Sequence, residues 1–245
     1  MKKLILMVAS LMIPSPSNAE SFNDIVNSQS YTLKCMASRR CKDGVKQIYN
    51  ISDIASSYPN SNFDIVADEF NRMLTSLKGI GVEVFLGDER YFPPLFRGIY
   101  STRKNNIYLN EKYMSNPARF ITTMRHEGWH VAQDCKAGIK NKKMDILISE
   151  KYIPKPYHDT VEETYASTPN DIPYEKEAYW AAHVLGMTEA ALESCIENED
   201  KYIEEKVHQY TIKYVNEVLR GSDLYLFYIT ITSIWFWIVS VVRCD

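Results

Sequence analysis

The sequence predicts an α+β fold, mainly helical, with a small sheet. Three observations predict it. Apolar residues recur at the helical period over Phe63–Lys78, and again from Thr188 to about Leu219. Short alternating runs such as Val82–Leu86 (VEVFL) have the period of a strand. Between these sets lies Pro117–Lys136, where Phe120, Ile121, Met124, Val131 and Ala132 form an apolar stripe. Pro117 suits its first turn and Gly138 supplies its stop.

The chain opens on a stretch built like a secretory signal peptide, residues 1–19. Lys2 and Lys3 form the positive start, Leu4–Ile13 the apolar core, and Ser17-Asn18-Ala19 the small-residue cleavage site. An apolar run of about ten residues is too short to anchor in a bilayer, so export is expected, to a periplasm, an envelope or the medium. Its removal leaves 26 basic against 31 acidic residues, a net charge of -5. No broad basic stretch stands out, and nucleic acid is not an expected partner. With 245 residues and 45% hydrophobic content, residues 20–221 are expected to form a single domain.

Glu20–Tyr31 reads as a short helix, and Tyr49–Asn62, rich in Ser, Asn and Pro, as loop. In Phe63–Lys78 the stripe of Phe63, Ile65, Val66, Phe70, Met73, Leu74 and Leu77 faces the core, with Gly79 and Gly81 closing the helix. Arg97–Thr102 and Asn105–Asn110 pair as a hairpin around Arg103-Lys104. After Gly138, Ile139–Tyr157 reads as loop, His158–Tyr165 as a short helix, Ser167–Pro173 as a turn, and Tyr174–Leu185 as a helix. Thr188 caps the long last helix, whose buried stripe is Leu192, Ile196, Ile203, Val207, Tyr210, Tyr214 and Val218. Leu224–Val242 is nineteen residues without a charge, between Asp223 and Arg243. At about 1.5 Å per residue it would span roughly 28 Å as a helix, which makes it a candidate membrane anchor, with a pair of buried strands as the alternative.

Export makes disulfides the default for the five cysteines. Cys35 and Cys41 could close a small loop, and Cys135 with Cys195 could staple the central helix to the last one. Other pairings remain open.

The chemistry concentrates in Met124–Cys135 (MRHEGWHVAQDC), where His126, Glu127 and His130 make His-Glu-x-x-His. Residues four apart share a helix face, so both imidazoles can reach one metal ion. Zinc accepts imidazole nitrogen and, in a catalytic site, keeps a position open for water, which Glu127 can deprotonate.

These three residues resemble the active-site helix of the zincin metallopeptidases. The resemblance covers roughly Arg97–Leu185 and implies a zincin-like fold, a bound Zn2+, and hydrolysis of a peptide or protein substrate with Glu127 activating a zinc-bound water. It also implies a third ligand downstream. Glu175-Lys176-Glu177-Ala178 is similar to the Glu-x-x-Ala element of the gluzincin type, which places Glu175 on the metal and Ala178 where the helices approach. Where many such families carry Asp or Asn, this chain has Tyr179, leaving a histidine without an assigned hydrogen-bond partner. Glu177, His183 and His158 remain alternative ligands. Zincins commonly set a sheet edge beside the cleft, and Asn106–Asn110 is the candidate edge for an extended substrate. Tyr157, His158, Tyr165 and Tyr179 are candidate oxyanion donors.

The competing function is a non-enzymatic, disulfide-stapled envelope protein with a structural metal site. Glu127 separates the two, because a structural site needs ligands but has no use for a base.

Overall fold

In the computed structural model the described residues are 43–139 and 143–197, together with Gln209 and Ile212. The expected signal peptide, the helix at Glu20–Tyr31, the Cys35–Cys41 pair, the last helix's stripe from Ile203 onward and the candidate anchor at 224–242 lie outside them. Among the described residues no helix is long and apolar enough to cross a membrane.

The architecture is α+β, mainly helical with one small mixed sheet. The strands are β1 (Val45–Ile48), β2 (Glu83–Gly87), β3 (Gly98–Ser101) and β4 (Asn106–Asn110), in the order β1-β2-β4-β3. β1 runs antiparallel to β2, β2 parallel to β4, and β4 antiparallel to β3. The expected hairpin is therefore present. Its second strand is not an edge, however: β4 lies between β2 and β3 and is buried along its whole length. This corrects Asn106–Asn110 as the substrate edge. Among the described residues, the open edge beside the central helix is β3.

The helices are α1 (Ile51–Ala55), α2 (Asp64–Gly79), α3 (Pro117–Ala137), α4 (Lys155–Thr164), α5 (Ile172–Ala181) and α6 (Met187–Glu197). α1 interrupts a stretch expected to be loop, because Asn50 and Asp53 form a capping box that satisfies its first amides. α4 likewise starts earlier than expected, with Pro156 in its first turn, where a missing N–H costs nothing. α3 is the longest. The Asn116 side chain accepts from the Arg119 N–H at its start, and Gly138 ends it at φ 96°, a conformation that favours glycine.

α3 is central because it is buried on two sides. Phe120, Met124 and Val131 join α2 and the inner sheet face in the main core, with Phe70, Ile107 and Leu109. Trp129 and Ala132 face the other way, into a second core with Ala178, Trp180 and Ala191 of α5 and α6. Leu192 of α6 is buried, but Ile196, expected in the same stripe, is 49% exposed. The outer sheet face carries a third cluster, Phe85, Tyr91, Phe92 and Tyr108. A disulfide joins Cys135 to Cys195, tying the end of α3 to α6. Arg125 adds a polar tie, donating to Glu69 of α2 at 2.8 Å and to the Ala182 carbonyl at 3.1 Å.

Candidate metal centre

With two faces of α3 committed to packing, its third face carries the motif. His126 and His130 stack one turn apart, their Nε2 atoms 3.2 Å from each other. α5 lies against this face and delivers Glu175, with Oε2 3.2 Å from His126 Nε2 and Oε1 3.4 Å from His130 Nε2. The pattern thus brings together the three residues expected as ligands, all their donor atoms within 4.8 Å of one another.

The donor set suits a zinc ion. Two atoms each about 2.05 Å from zinc and separated by a tetrahedral angle lie about 3.3 Å apart, comparable to the 3.2 Å between the imidazole nitrogens and to the distance from each of them to one Glu175 oxygen. Glu175 Oε2 supplies a second sign. It is buried and has no hydrogen-bond partner, although the His126 nitrogen is close, and such an orphaned oxygen calls for a cation. The electrostatics agree in sign. Burial would raise the Glu175 pKa, but the charges of His130 and His126 hold it well below the usual carboxylate range. Burial alone would lower His130, and the Glu175 charge instead pushes it up to about 9.

Glu127 is buried at 5% exposure, on the flank of the triangle facing the sheet. Burial pushes its pKa up, against the opposing charges of His126 and His130, and the backbone N–H of Tyr100 faces it. β3 approaches closely because residue 98 is glycine. A Cβ there would lie 2.7 Å from Glu127 Oε1 and 2.9 Å from Thr123 Cγ2. The Tyr100 hydroxyl donates to Asp134 Oδ2 at 2.6 Å, fastening the edge strand to α3. Since β3 pairs with β4 through Arg97, Ile99 and Ser101, the peptide groups of Gly98 and Tyr100 turn away from the sheet.

The remaining candidates separate cleanly. Glu177, fully buried, faces away from the triangle and accepts from Gln133 Nε2 (2.8 Å), Trp129 Nε1 (3.1 Å) and the Leu147 and Ile148 amides. His183 is exposed, with Nδ1 2.7 Å from the Tyr179 carbonyl and its ring against Tyr157 and Tyr179. His158 forms a second group with Glu150 and Glu162, but the Lys176 ammonium lies 2.6 Å from both carboxylates and already supplies the cation. Of the candidate oxyanion donors, Tyr165 is the one set beside Glu175. Burial, then the Glu175 charge, raises its pKa well above the usual value.

One residue escaped the sequence. Gln133 Oε1 lies 2.8 Å from His130 Nδ1, filling the place left open by Tyr179. Its only signal is its position, three residues after the second histidine and so on the same helix face.

Comparison with known proteins leaves the chain without a family. No family model matches it, and no solved structure matches it. DNA mismatch repair protein MutL of Dictyoglomus turgidum is 26% identical over 165 residues, covering 62% of this chain. The matched stretch spans 27% of that protein's length, too little likeness to carry its role in repair to this chain.

Proposed function

We propose that the protein is an exported zinc metallopeptidase of zincin-like, gluzincin-type fold, with His126, His130 and Glu175 holding the metal. The observation that carries this reading is the cluster of two imidazole nitrogens 3.2 Å apart, each 3.2 or 3.4 Å from a different oxygen of the Glu175 carboxylate, with His130 buried and His126 and Glu175 half-buried. A zinc ion bound there supplies Lewis acidity toward a carbonyl and lowers the pKa of water. The chain's own residues supply the rest. Glu127, its pKa raised by burial toward the range of a working base, takes the proton of the attacking water and passes it to the leaving amine. Tyr165, beside Glu175, donates to the developing oxyanion. The outward N–H and C=O of Gly98 and the Tyr100 carbonyl on β3 offer an extended substrate a strand to pair with, the Tyr100 N–H being taken by Glu127.

The competing role, a structural metal site, is disfavoured by Glu127. A buried carboxylate next to the ligands, outside the triangle and pressed on by β3, serves no structural site.

The test separates ligand from base. His130→Ala and Glu175→Ala should both lose metal in elemental analysis of purified protein. Glu127→Gln should keep wild-type metal content and lose hydrolysis of a general protein substrate by about 10²–10⁴-fold or more. A Glu127→Gln protein that cleaves at the wild-type rate defeats the peptidase mechanism.

A further inference from the structure

We propose that Gln133 and Glu177 form a second tier beneath the metal centre, in which Glu177 orients the Gln133 amide and the amide fixes the tautomer of His130. The proposal rests on the reading of His126, His130 and Glu175 as ligands, and adds the residues that aim one of them.

The argument follows hydrogen-bond direction. The Gln133 side chain is fully buried, so each end of its amide must be satisfied by protein. Its nitrogen lies 2.8 Å from Glu177 Oε2 and 3.1 Å from the Tyr174 carbonyl. Both partners only accept, so that end of the amide is the NH₂ group. The oxygen then faces His130 Nδ1 at 2.8 Å, and an amide oxygen only accepts. His130 must therefore carry its proton on Nδ1. In the neutral ring this leaves the lone pair on Nε2, the atom that faces His126 and Glu175.

The tier is anchored from outside the centre. Glu177 is fully buried, and besides Gln133 it accepts from Trp129 Nε1 at 3.1 Å, the Leu147 amide at 3.1 Å and the Ile148 amide. All its partners are donors, as an ionised carboxylate requires. They come from α3 and from the segment before α4, so the carboxylate cannot turn without breaking several bonds. The Tyr174 carbonyl that receives the other Gln133 hydrogen immediately precedes Glu175. One amide thereby sets the helix of the histidines against the helix of the third ligand.

Two measurements test this. Zinc affinity is read by competition with a chromophoric chelator for wild type and Gln133→Leu, which keeps the volume and removes the acceptor. The Leu variant should bind about 10–100-fold more weakly. Equal affinity in a folded Leu variant overturns the tier while leaving the ligand triad intact, whereas wild type that binds no zinc overturns both readings. Should the Leu variant fail to fold, nitrogen-15 imidazole spectra of zinc-loaded wild type decide alone. His130 should bind through Nε2 and show an Nδ1–H that is both slow to exchange and shifted downfield by its hydrogen bond to Gln133 Oε1, a shift that burial by itself does not produce. Ligation through Nδ1, or an Nδ1–H exchanging as freely as an exposed imidazole, overturns the proposal.

Discussion

Gly128, inside the motif, shows how a single atom sets the geometry around the ligands. A Cβ on it would sit 2.9 Å from Thr188 Cγ2 and 3.2 Å from Met73 Cε, so its absence lets α6 and α2 close on α3. In an exposed helix alanine would gain about 1 kcal/mol over glycine. Here overpacking costs about 1–3 kcal/mol, and Thr188 cannot swing aside because its hydroxyl donates to the Arg125 carbonyl at 3.1 Å. Gly128→Ala should therefore lower the unfolding free energy by about 1 kcal/mol, and adding Thr188→Ser should recover most of it. Thermal unfolding of both proteins checks this, and a single variant more stable than wild type refutes the packing argument. The sequence showed the motif but not this role, since a glycine in a helix signals nothing until its neighbours are known. Glu177 is a similar case. In the run Tyr174-Glu175-Lys176-Glu177 charge suggests solvent, yet Lys176 and Glu177 are both buried because each has its partners.

At the scale of elements, legibility followed length and period. α2, α3 and β2 were readable because an apolar period runs through each, and the β3–β4 hairpin because two short apolar runs flank a turn at Arg103-Lys104. β1, with four residues, and α1, with five, are too short to show a period, although the Asn50 and Asp53 cap was written in the chain. Strand order was not readable, because nothing local says that β4 returns to pair with β2 and leaves β3 outside. That arrangement matters for chemistry, since it puts Gly98 rather than β4 against Glu127. Gly98→Ala would push its new methyl within 2.7–2.9 Å of Glu127 and Thr123, and the flexible carboxylate is the group that yields. With Glu127 as the proposed base, displacing it by about 1 Å can cost roughly 10²-fold in rate. We expect Gly98→Ala to keep its metal and lose about that much in kcat, measured beside elemental analysis. An unchanged rate would mean that the position of the Glu127 carboxylate does not govern hydrolysis.

For the molecule as a whole, the disulfide and the proposed ligand triad join overlapping parts of the chain. Cys135 and Cys195, 60 residues apart, close a loop that contains Glu175 but neither histidine. The sequence made this pairing one expectation among several, because Cys135 ends the motif helix and Cys195 falls on a later helix that it could staple to the first. Glu175, the proposed third ligand, is thus carried by a segment that the disulfide ties to the end of α3. Closing a loop of this length restricts the unfolded chain by about 4 kcal/mol in the entropic account, and measured values centre on about 2–4 kcal/mol. His126, His130 and Gln133, by contrast, lie together on α3 and are packed from both sides without the bond. The double change Cys135→Ala with Cys195→Ala should therefore lower the stability of the metal-free fold by about 2–4 kcal/mol. It should leave the zinc stoichiometry of the folded protein at the wild-type value. Chemical denaturation of chelator-treated protein gives the first quantity and metal analysis at low temperature the second. A folded double variant that no longer retains zinc would make the disulfide part of the metal centre itself, rather than a restraint on the chain that supplies Glu175.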